Sequence, residues 1–190
     1  ADRTFQDAWA VFPGRAELEA SGHAAAQVNR FKDLNFAHSV FTRAIMSSAN
    51  FHPLNLHDLI KTAVKNMAMQ FHKQGVKVDL ALDASDPNLV ADRIHLTNIL
   101  FNLIDNAVKY SGEDPHIVIR TAQTPDGVSL DIQDNGVGIA KEHLGKVFER
   151  LYRVPTGNVH DVKGFGLGLS YVKNVVERHG GSVQIASRVG

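Results

Sequence analysis

Three polar side chains recur at helical spacing within one stretch of the sequence. Asn102, Asn106 and Lys109 are four and three residues apart, so they share one face of a helix. Asparagine is a poor helix former, and glutamate or lysine would suit a merely solvated face better. Asparagine amides offer neutral oxygen ligands for Mg²⁺ shared with phosphates, and a lysine adds positive charge beside them. The spacing therefore favours a metal–phosphate site over a plain solvated face.

Asp134 to Gly138, with the sequence Asp-Asn-Gly-Val-Gly, directly follow an apolar run typical of a strand. A carboxylate at a strand end can accept a hydrogen bond from an exocyclic amine. Glycines let a flat ring approach the backbone. The segment indicates either a base-binding loop or an ordinary turn.

Gly164, Gly166 and Gly168 precede a helical pattern. Backbone N–H groups at the start of a helix, free of side chains, form a natural phosphate site. The sequence has no Gly-x-x-x-x-Gly-Lys-Ser/Thr, which excludes a P-loop. The glycines do not follow a strand of a βαβ unit, which argues against a dinucleotide-binding fold.

The composition excludes several classes of protein. The chain has 190 residues, 44% of them hydrophobic, and its 20 basic and 20 acidic side chains cancel. We therefore expect a globular protein without the basic field that favours a nucleic-acid partner. Cysteine is absent, which excludes disulfides and thiol chemistry. We expect no membrane segment in this chain, because no apolar run approaches about 20 residues.

Residues 1–50 are predicted to be a helical segment. The first apolar residues recur at helical spacing before Pro13 and Gly14, namely Phe5, Ala8, Trp9 and Phe12. A heptad-like seam follows at Leu34, Ala37, Phe41, Ala44 and Ser48. The seam suits either a helix that packs against another helix or an amphipathic helix that lies on the next domain.

Residues 51–190 are predicted to be one domain of alternating helices and strands. Helices are expected from Asn55 to Gly75, from Asp92 to Tyr110, and from Leu169 to Gly180. Strands are expected over 76–82, 116–122, 128–133 and 182–187. This order indicates a two-layer α/β sandwich, with a mixed, mainly antiparallel sheet packed against helices.

Four segments in this order resemble the ATP-binding catalytic domain of sensor histidine kinases. Residues 102–111 resemble its N box and 134–138 its G1 box. Residues 147–153 resemble its F box, and 163–169 its G2 box. The resemblance covers about residues 51–187, and it implies the Bergerat fold shared with gyrase, MutL and heat-shock chaperone ATPases.

The resemblance implies ATP and Mg²⁺ as cofactors and assigns roles to individual residues. Asn106 and Asn102 would hold Mg²⁺, and Lys109 and Tyr110 would contact phosphate or ribose. Asp134 would bind the adenine amine. The remaining residues of the implied nucleotide site are Gly136, Gly138 and Ile139 near the base, the lid cations Arg153 and Lys163, and Gly164, Phe165, Gly166, Leu167 and Gly168 of the hinge and cradle.

The implied activity is transfer of the ATP γ-phosphoryl group to a histidine outside this chain. The implied partners are a phosphoacceptor histidine domain and a response regulator. Residues 15–49 resemble the second helix of the family's dimerisation hairpin, so the resemblance also implies a homodimer through the N-terminal helices. The implied location is cytoplasmic. Two alternatives stay open. One is a serine-directed kinase of the same fold, as in anti-sigma factors, and the other is a non-catalytic nucleotide-binding dimerisation module.

Two departures from the family pattern lead to further expectations. No histidine is followed by an acidic residue and Thr-Pro, which is the family's phosphoacceptor box, and His38 lies between Ala37 and Ser39. We expect His38 to be a packing residue and self-phosphorylation to be absent. The family usually has one more Gly-Thr-containing strand after the position of Gly190. The sheet is therefore expected to lack an edge strand or its tail.

Overall fold

The computed structural model describes residues 6–13, 50–155 and 166–189. The strands are β1 (Gln6–Pro13), β2 (Phe51–Asn55), β3 (Lys77–Leu82), β4 (Asn88–Asp92), β5 (His116–Thr124), β6 (Gly127–Asp134) and β7 (Ser182–Ala186). The helices are α1 (Leu56–Gln74), α2 (Arg93–Tyr110), α3 (Lys141–Leu144) and α4 (Gly168–Arg178).

A five-stranded sheet forms one layer of the domain, in the order β3-β5-β6-β1-β7. The β3–β5 pair is parallel, and the other neighbouring strands of this sheet are antiparallel. Alternate residues of the central strands face the helices and are buried, among them Ile117, Ile119, Leu130 and Ile132. Helices α1, α2 and α4 supply the other side of the core. The predicted two-layer α/β sandwich is confirmed.

Helix α1 begins and ends as its sequence predicts. The Asn55 side chain accepts a hydrogen bond from the Asp58 N–H at 3.1 Å, which satisfies one donor of the first turn. Gly75 ends the helix with a φ of 66°, a left-handed conformation that suits glycine.

Helix α2 is capped by Asp92, whose carboxylate accepts from the N–H groups of Ile94 at 2.9 Å and His95 at 3.1 Å. Its predicted core stripe is buried, comprising Leu96, Ile99, Leu100, Leu103 and Ala107. Because that stripe faces the sheet, the face carrying Asn102 and Asn106 turns toward the start of α4. The helix therefore presents the candidate ligands at one side of the domain.

The prediction of a helix across residues 6–13 is wrong, because this segment is strand β1. Ala8, Ala10 and Phe12 are buried, with exposed fractions of 8%, 1% and 1%, whereas Trp9 and Val11 are half-buried. This alternation has the period of a strand. β1 lies between β6 and β7, and β7 is an edge strand of the described sheet. The expected absence of an edge strand or its tail stays a prediction. Residues 14–49, with the predicted seam and His38, lie outside the described residues.

A small two-stranded sheet, β2 with β4, was not predicted. It joins residues far apart in the chain and includes Pro53, which removes a ladder donor and is tolerated at a sheet edge. Its strands lead into α1 and α2, so the ladder holds the starts of these helices together. Within the described ranges, no helix is long and apolar enough to cross a membrane.

Candidate functional site

The N-box face of α2 meets the first residue of α4. A Cβ placed on Gly168 would lie 2.8 Å from Asn102 Oδ1 and 3.7 Å from Asn106 Nδ2. The Asn102 amide nitrogen donates to the Asn98 carbonyl oxygen at 2.8 Å, which leaves its oxygen directed at Gly168. The structure thus brings Asn102, Asn106 and Gly168 together, as the resemblance implies.

The start of α4 differs from the starts of α1 and α2. Leu167 occupies its N-cap position and has no side-chain oxygen to accept from the first N–H groups of the helix. Its carbonyl oxygen accepts from Ser170 Oγ at 2.9 Å and from the Tyr171 N–H at 2.9 Å. N–H groups at a helix start that lack a capping side chain are suited to an anion.

Asp134 lies at the other end of this region, 6% exposed. Its Oδ1 accepts from the Gly136 N–H at 2.8 Å, which orients the carboxylate at the end of β6. A Cβ on Gly136 would lie 2.6 Å from both this oxygen and the Tyr110 carbonyl oxygen, so only glycine fits there. The Val137 N–H donates to the same Tyr110 oxygen at 3.0 Å. The G1 box is therefore hydrogen-bonded to Tyr110, the last residue of α2.

Gly138 and Ile139 continue the G1 box against the residues that follow β7. Gly138 has a φ of +73°, and a Cβ there would lie 1.9 Å from the Arg188 carbonyl oxygen. The Ile139 N–H donates to Ser187 Oγ at 2.8 Å, and the Ile139 side chain is buried. The G1 box thus contains a buried carboxylate, which can accept from an amine at the edge of a heterocyclic base, and a buried apolar side chain, which can pack on its face.

The F box and the G2 box are also in contact. Gly166 adopts a φ of +69°, and its carbonyl oxygen accepts from the Leu151 N–H at 3.0 Å. Tyr152 Oη lies 2.7 Å from His143 Nδ1, which ties the F box to α3. Arg153 follows on an exposed segment. The predicted site residues Lys163, Gly164 and Phe165 lie outside the described residues.

Lys109 forms an ion pair with Asp105, one turn earlier on α2. Both side chains are about a third exposed, at 37% and 35%. The structure thus pairs Lys109 with a carboxylate of the same helix, and a bound anion would have to compete with Asp105 for its ammonium group.

Asn135 is a residue of the site that the sequence did not identify. Its Oδ1 accepts from the His116 N–H at 2.8 Å, and its Nδ2 donates to the Asp114 carbonyl oxygen at 3.0 Å. These bonds fix the G1 box to the start of β5. Both bonds reach residues that lie 19 and 21 positions earlier in the chain, so no local signal in the sequence could have identified this role.

His179 is a second residue whose role was not predicted. Its Nδ1 lies 2.8 Å from the Val175 carbonyl oxygen, and its Nε2 accepts from the Asp92 N–H at 3.1 Å. A carbonyl oxygen only accepts, so Nδ1 carries the proton and the ring is neutral. Burial lowers the pKa of His179 below 6.5, although the bond to Val175 works in the opposite direction. This ring links the end of α4 to the start of α2.

Burial raises the pKa of the Asp92 carboxyl, but the N–H groups that donate to it outweigh this effect. The Asn50 N–H donates at 2.8 Å, alongside those of His95 and Ile94. The pKa of Asp92 therefore lies below its usual 3.8. The charged carboxylate is the stable form, and it secures the N-terminus of the helix that carries Asn102 and Asn106.

Residues 91–190 match the family model of histidine kinase-, DNA gyrase B- and HSP90-like ATPases. Sensor protein RprX of Bacteroides fragilis is 44% identical over 138 residues, which are 72% of this chain and 27% of RprX. The methanogenesis regulatory histidine kinase FilI of Methanothrix harundinacea is 32% identical over 135 residues, which are 70% of this chain and 15% of FilI. The chain thus spans 27% or less of the length of these two relatives.

Solved structures share the fold. The nucleotide-free catalytic domain of histidine kinase ThkA superposes with a TM-score of 0.61 at 25% identity, over 72% of this chain and 95% of that domain. ThkA in complex with the response regulator protein TrrA gives a TM-score of 0.60 at 18% identity, over 80% of this chain and 47% of that one.

Proposed function

Because this chain belongs to the histidine kinase-, DNA gyrase B- and HSP90-like ATPase family, we propose that it transfers the γ-phosphoryl group of ATP to a histidine outside this sequence. Its relatives are sensor histidine kinases, so it is an ATP-binding domain of the sensor-kinase type, as its boxes indicated. The observation that carries the proposed activity is the convergence of Asn102, Asn106 and the bare start of α4 at Gly168.

The proposed nucleotide lies along α2. Asp134 and Ile139 receive the adenine near Tyr110, and the phosphates lie between Asn102, Asn106 and the first N–H groups of α4. Asn102 and Tyr110 are about 12 Å apart along the helix axis, at about 1.5 Å per residue. That length separates the base from the phosphates and leaves the ribose beside the last turn of α2.

The side chains present fit Mg²⁺. Asn102 Oδ1 is a neutral oxygen directed toward the space that a Cβ on Gly168 would fill, and Asn106 lies beside it. Among the described residues, no cluster of three or more His, Asp or Glu side chains is placed to hold a metal on its own. Asparagine oxygens are the kind of ligand that holds Mg²⁺ when phosphates supply the remaining charge. Bound Mg²⁺ would neutralise charge on the phosphates.

Catalysis is proposed to consist of positioning and charge neutralisation. Asp134 orients the base, and the N–H groups at the start of α4 hold phosphate oxygens. Lys109 exchanges part of its interaction with Asp105 for phosphate. Arg153, Lys163 and the glycines Gly164 and Gly166 are proposed to cover the phosphates, with Phe165 and Leu167 packing around them.

The proposed partners follow from the chemistry of the product. A phosphoacceptor histidine domain must present its ring nitrogen to the γ-phosphate, and a response regulator must then receive the group. The ThkA complex with the response regulator protein TrrA supports the second partner. A homodimer and a cytoplasmic location are proposed with the same function. Residues 6–13 are excluded from the dimer contact, because β1 is paired with β6 and β7 within the sheet.

The test of this function is transfer from γ-labelled ATP to the histidine hairpin of the parent protein, added as a separate domain. We expect label on the hairpin that is lost in acid, as phosphohistidine is, and no label without this chain. Acid-stable label on a serine would favour the serine-directed alternative. Nucleotide binding without any transfer would favour the non-catalytic module.

A further inference from the structure

We infer that strand β1 positions the nucleotide site, so that pairing of β1 with β6 and β7 and nucleotide binding stabilise each other. The inference rests on the proposed nucleotide site at the G1 box. It concerns a segment, Gln6–Pro13, that lies outside the matched residues 91–190 and contains none of the four boxes. Two chains of contacts connect β1 to that site.

The first connection runs through β7. Ala10 of β1 lies opposite Leu130 of β6 and Val183 of β7, and β1 is the strand that joins these two. Among the described strands, β7 pairs with β1 alone. If β1 leaves the sheet, β7 therefore loses its whole ladder and is retained by side-chain packing only.

The residues that follow β7 support the G1 box directly. Ser187 Oγ accepts from the Ile139 N–H at 2.8 Å, and the Arg188 carbonyl lies where a Cβ of Gly138 would be. These contacts form the backbone support behind the proposed base-binding loop. Displacement of β7 would remove that support from Gly138 and Ile139.

The second connection runs through Phe12, which is 1% exposed. Its ring meets the His179 ring edge-on, with centroids 6.4 Å apart. His179 accepts from the Asp92 N–H, and Asp92 caps the helix that carries Asn102. β1 thus also contacts the chain of bonds that fixes the phosphate side of the site.

Gly181 shows how closely β1 is fitted to this region. A Cβ on Gly181 would lie 2.0 Å from the Val11 carbonyl oxygen of β1. The close approach of β1 therefore explains the second glycine after α4, Gly181, at the turn into β7. β1 contacts residues that support both the base side and the phosphate side of the proposed site. If pairing of β1 favours nucleotide binding by some factor, linkage requires that binding favour the paired strand by the same factor.

The sequence supplies a probe for the test, since its one tryptophan, Trp9, lies in β1. We propose urea titration of the full chain, followed by Trp9 fluorescence and by circular dichroism, with and without ADP–Mg²⁺. With ADP at 100 times its Kd, the equilibrium for the paired strand should shift by about 100-fold. The unfolding transitions seen by fluorescence and by circular dichroism should then shift together to higher urea concentration.

The inference would be overturned if the Trp9 fluorescence transition occurs at lower urea than the circular dichroism transition and its midpoint does not change with ADP. ADP that moves neither signal would contradict the nucleotide site itself, and the inference with it. The two failures are therefore distinguishable in one experiment.

A pair of variants tests the same link by affinity. Ala10→Asp places a charge in the fully buried face of β1 and should expel the strand, whereas Val11→Asp places the same charge on the half-buried opposite face. We expect ADP binding to weaken by about tenfold or more in a folded Ala10→Asp variant and to stay near that of the parent in Val11→Asp. The inference would be overturned if a folded Ala10→Asp variant, in which Trp9 has become mobile, binds ADP with the affinity of the parent chain. If Ala10→Asp does not fold, the Trp9 titration decides.

Discussion

Gly168 and Asn102 touch so closely that a side chain on the glycine would collide with the amide, at 2.8 Å from its Oδ1. Asn102 cannot turn away freely, because its Nδ2 donates to the Asn98 carbonyl oxygen at 2.8 Å. The glycine of the G2 box is therefore required by its neighbour in the N box. This contact joins the first turn of α4 to the middle of α2, and it defines the proposed phosphate site.

Gly168→Ala should weaken binding of an ATP analogue in a chain that still folds. The added methyl displaces the Asn102 amide from the site, which should lower affinity by about tenfold or more, or about 1.4 kcal/mol. Overpacking lowers the free energy of unfolding, and the better helix propensity of alanine partly offsets this loss. Gly145→Ala is the matched control, since its Cβ meets nothing within 4 Å. Equal affinities for the two variants, measured by calorimetry, would contradict the proposed phosphate site.

Asp134 should make the site selective for adenine. A carboxylate accepts from the adenine amine but repels the carbonyl oxygen that guanine has at the same position, and a buried mismatch costs about 1–3 kcal/mol. ADP should therefore bind about tenfold or more tightly than GDP, and Asp134→Ala should narrow that ratio. Asp126→Ala, in the exposed β5–β6 turn, should leave it unchanged. Equal binding of ADP and GDP by the parent chain would refute the role of Asp134.

His179 should make stability depend on pH below neutrality. Its folded pKa lies below the unfolded value of 6.5, chiefly because the ring is buried. The proximity of His95 and Arg178 also lowers this pKa, while Asp92 and the Val175 carbonyl raise it. The unfolded state therefore takes up the proton first, and stability is full above about pH 6.5. It should fall by about 1.4 kcal/mol per pH unit toward the folded pKa.

Urea unfolding at pH 7.5, 6.5 and 5.5 measures this dependence. We expect His179→Gln to flatten it, although that variant is less stable at every pH because the ring contacts are lost. His72→Gln, at an exposed position of α1, should retain the parent's dependence. A parent profile that rises on acidification would contradict the neutral, buried state of His179.

The chain alone should bind ATP without labelling itself. None of its histidines has an adjacent acid followed by Thr-Pro. His38 lies between Ala37 and Ser39, so no neighbouring carboxylate would accept its ring proton during attack. Incubation with γ-labelled ATP should therefore leave this chain unlabelled. Acid-labile label that disappears in His38→Gln would show that residues 1–50 contain a divergent acceptor.

The parts of the fold that depend on local sequence were predictable. Asn55 and Gly75 mark the start and the end of α1, because each forms hydrogen bonds to residues within one turn of the helix. The buried stripe of α2 follows from helical periodicity. The polar face of α2 was likewise visible, because a helix fixes which residues share a side. The contact between Asn102 and Gly168 required the family resemblance, since no spacing within one element predicts it.

Strand β1 was mispredicted for a physical reason. Ala8 to Phe12 are all apolar, so the run has neither a clear strand period nor a clear helical one. Its partners lie more than 100 residues away, at Leu130 and Val183, and pairing with them decides its conformation. The roles of Asn135 and His179 were missed for the same reason, because their partners His116 and Asp92 come together only in the folded chain.

The effect of Mg²⁺ on binding of a non-hydrolysable ATP analogue tests the proposed site most directly. Calorimetric titration of the parent chain should show binding about tenfold or more tighter with Mg²⁺ than without it, a gain of about 1.4 kcal/mol. Asn106→Ala should lose that gain and keep the Mg²⁺-free affinity, while Asn98→Ala, one turn before Asn102 on the same helix, should keep both. If a folded Asn106→Ala variant retains the full gain from Mg²⁺, the metal and phosphates are not held where we propose.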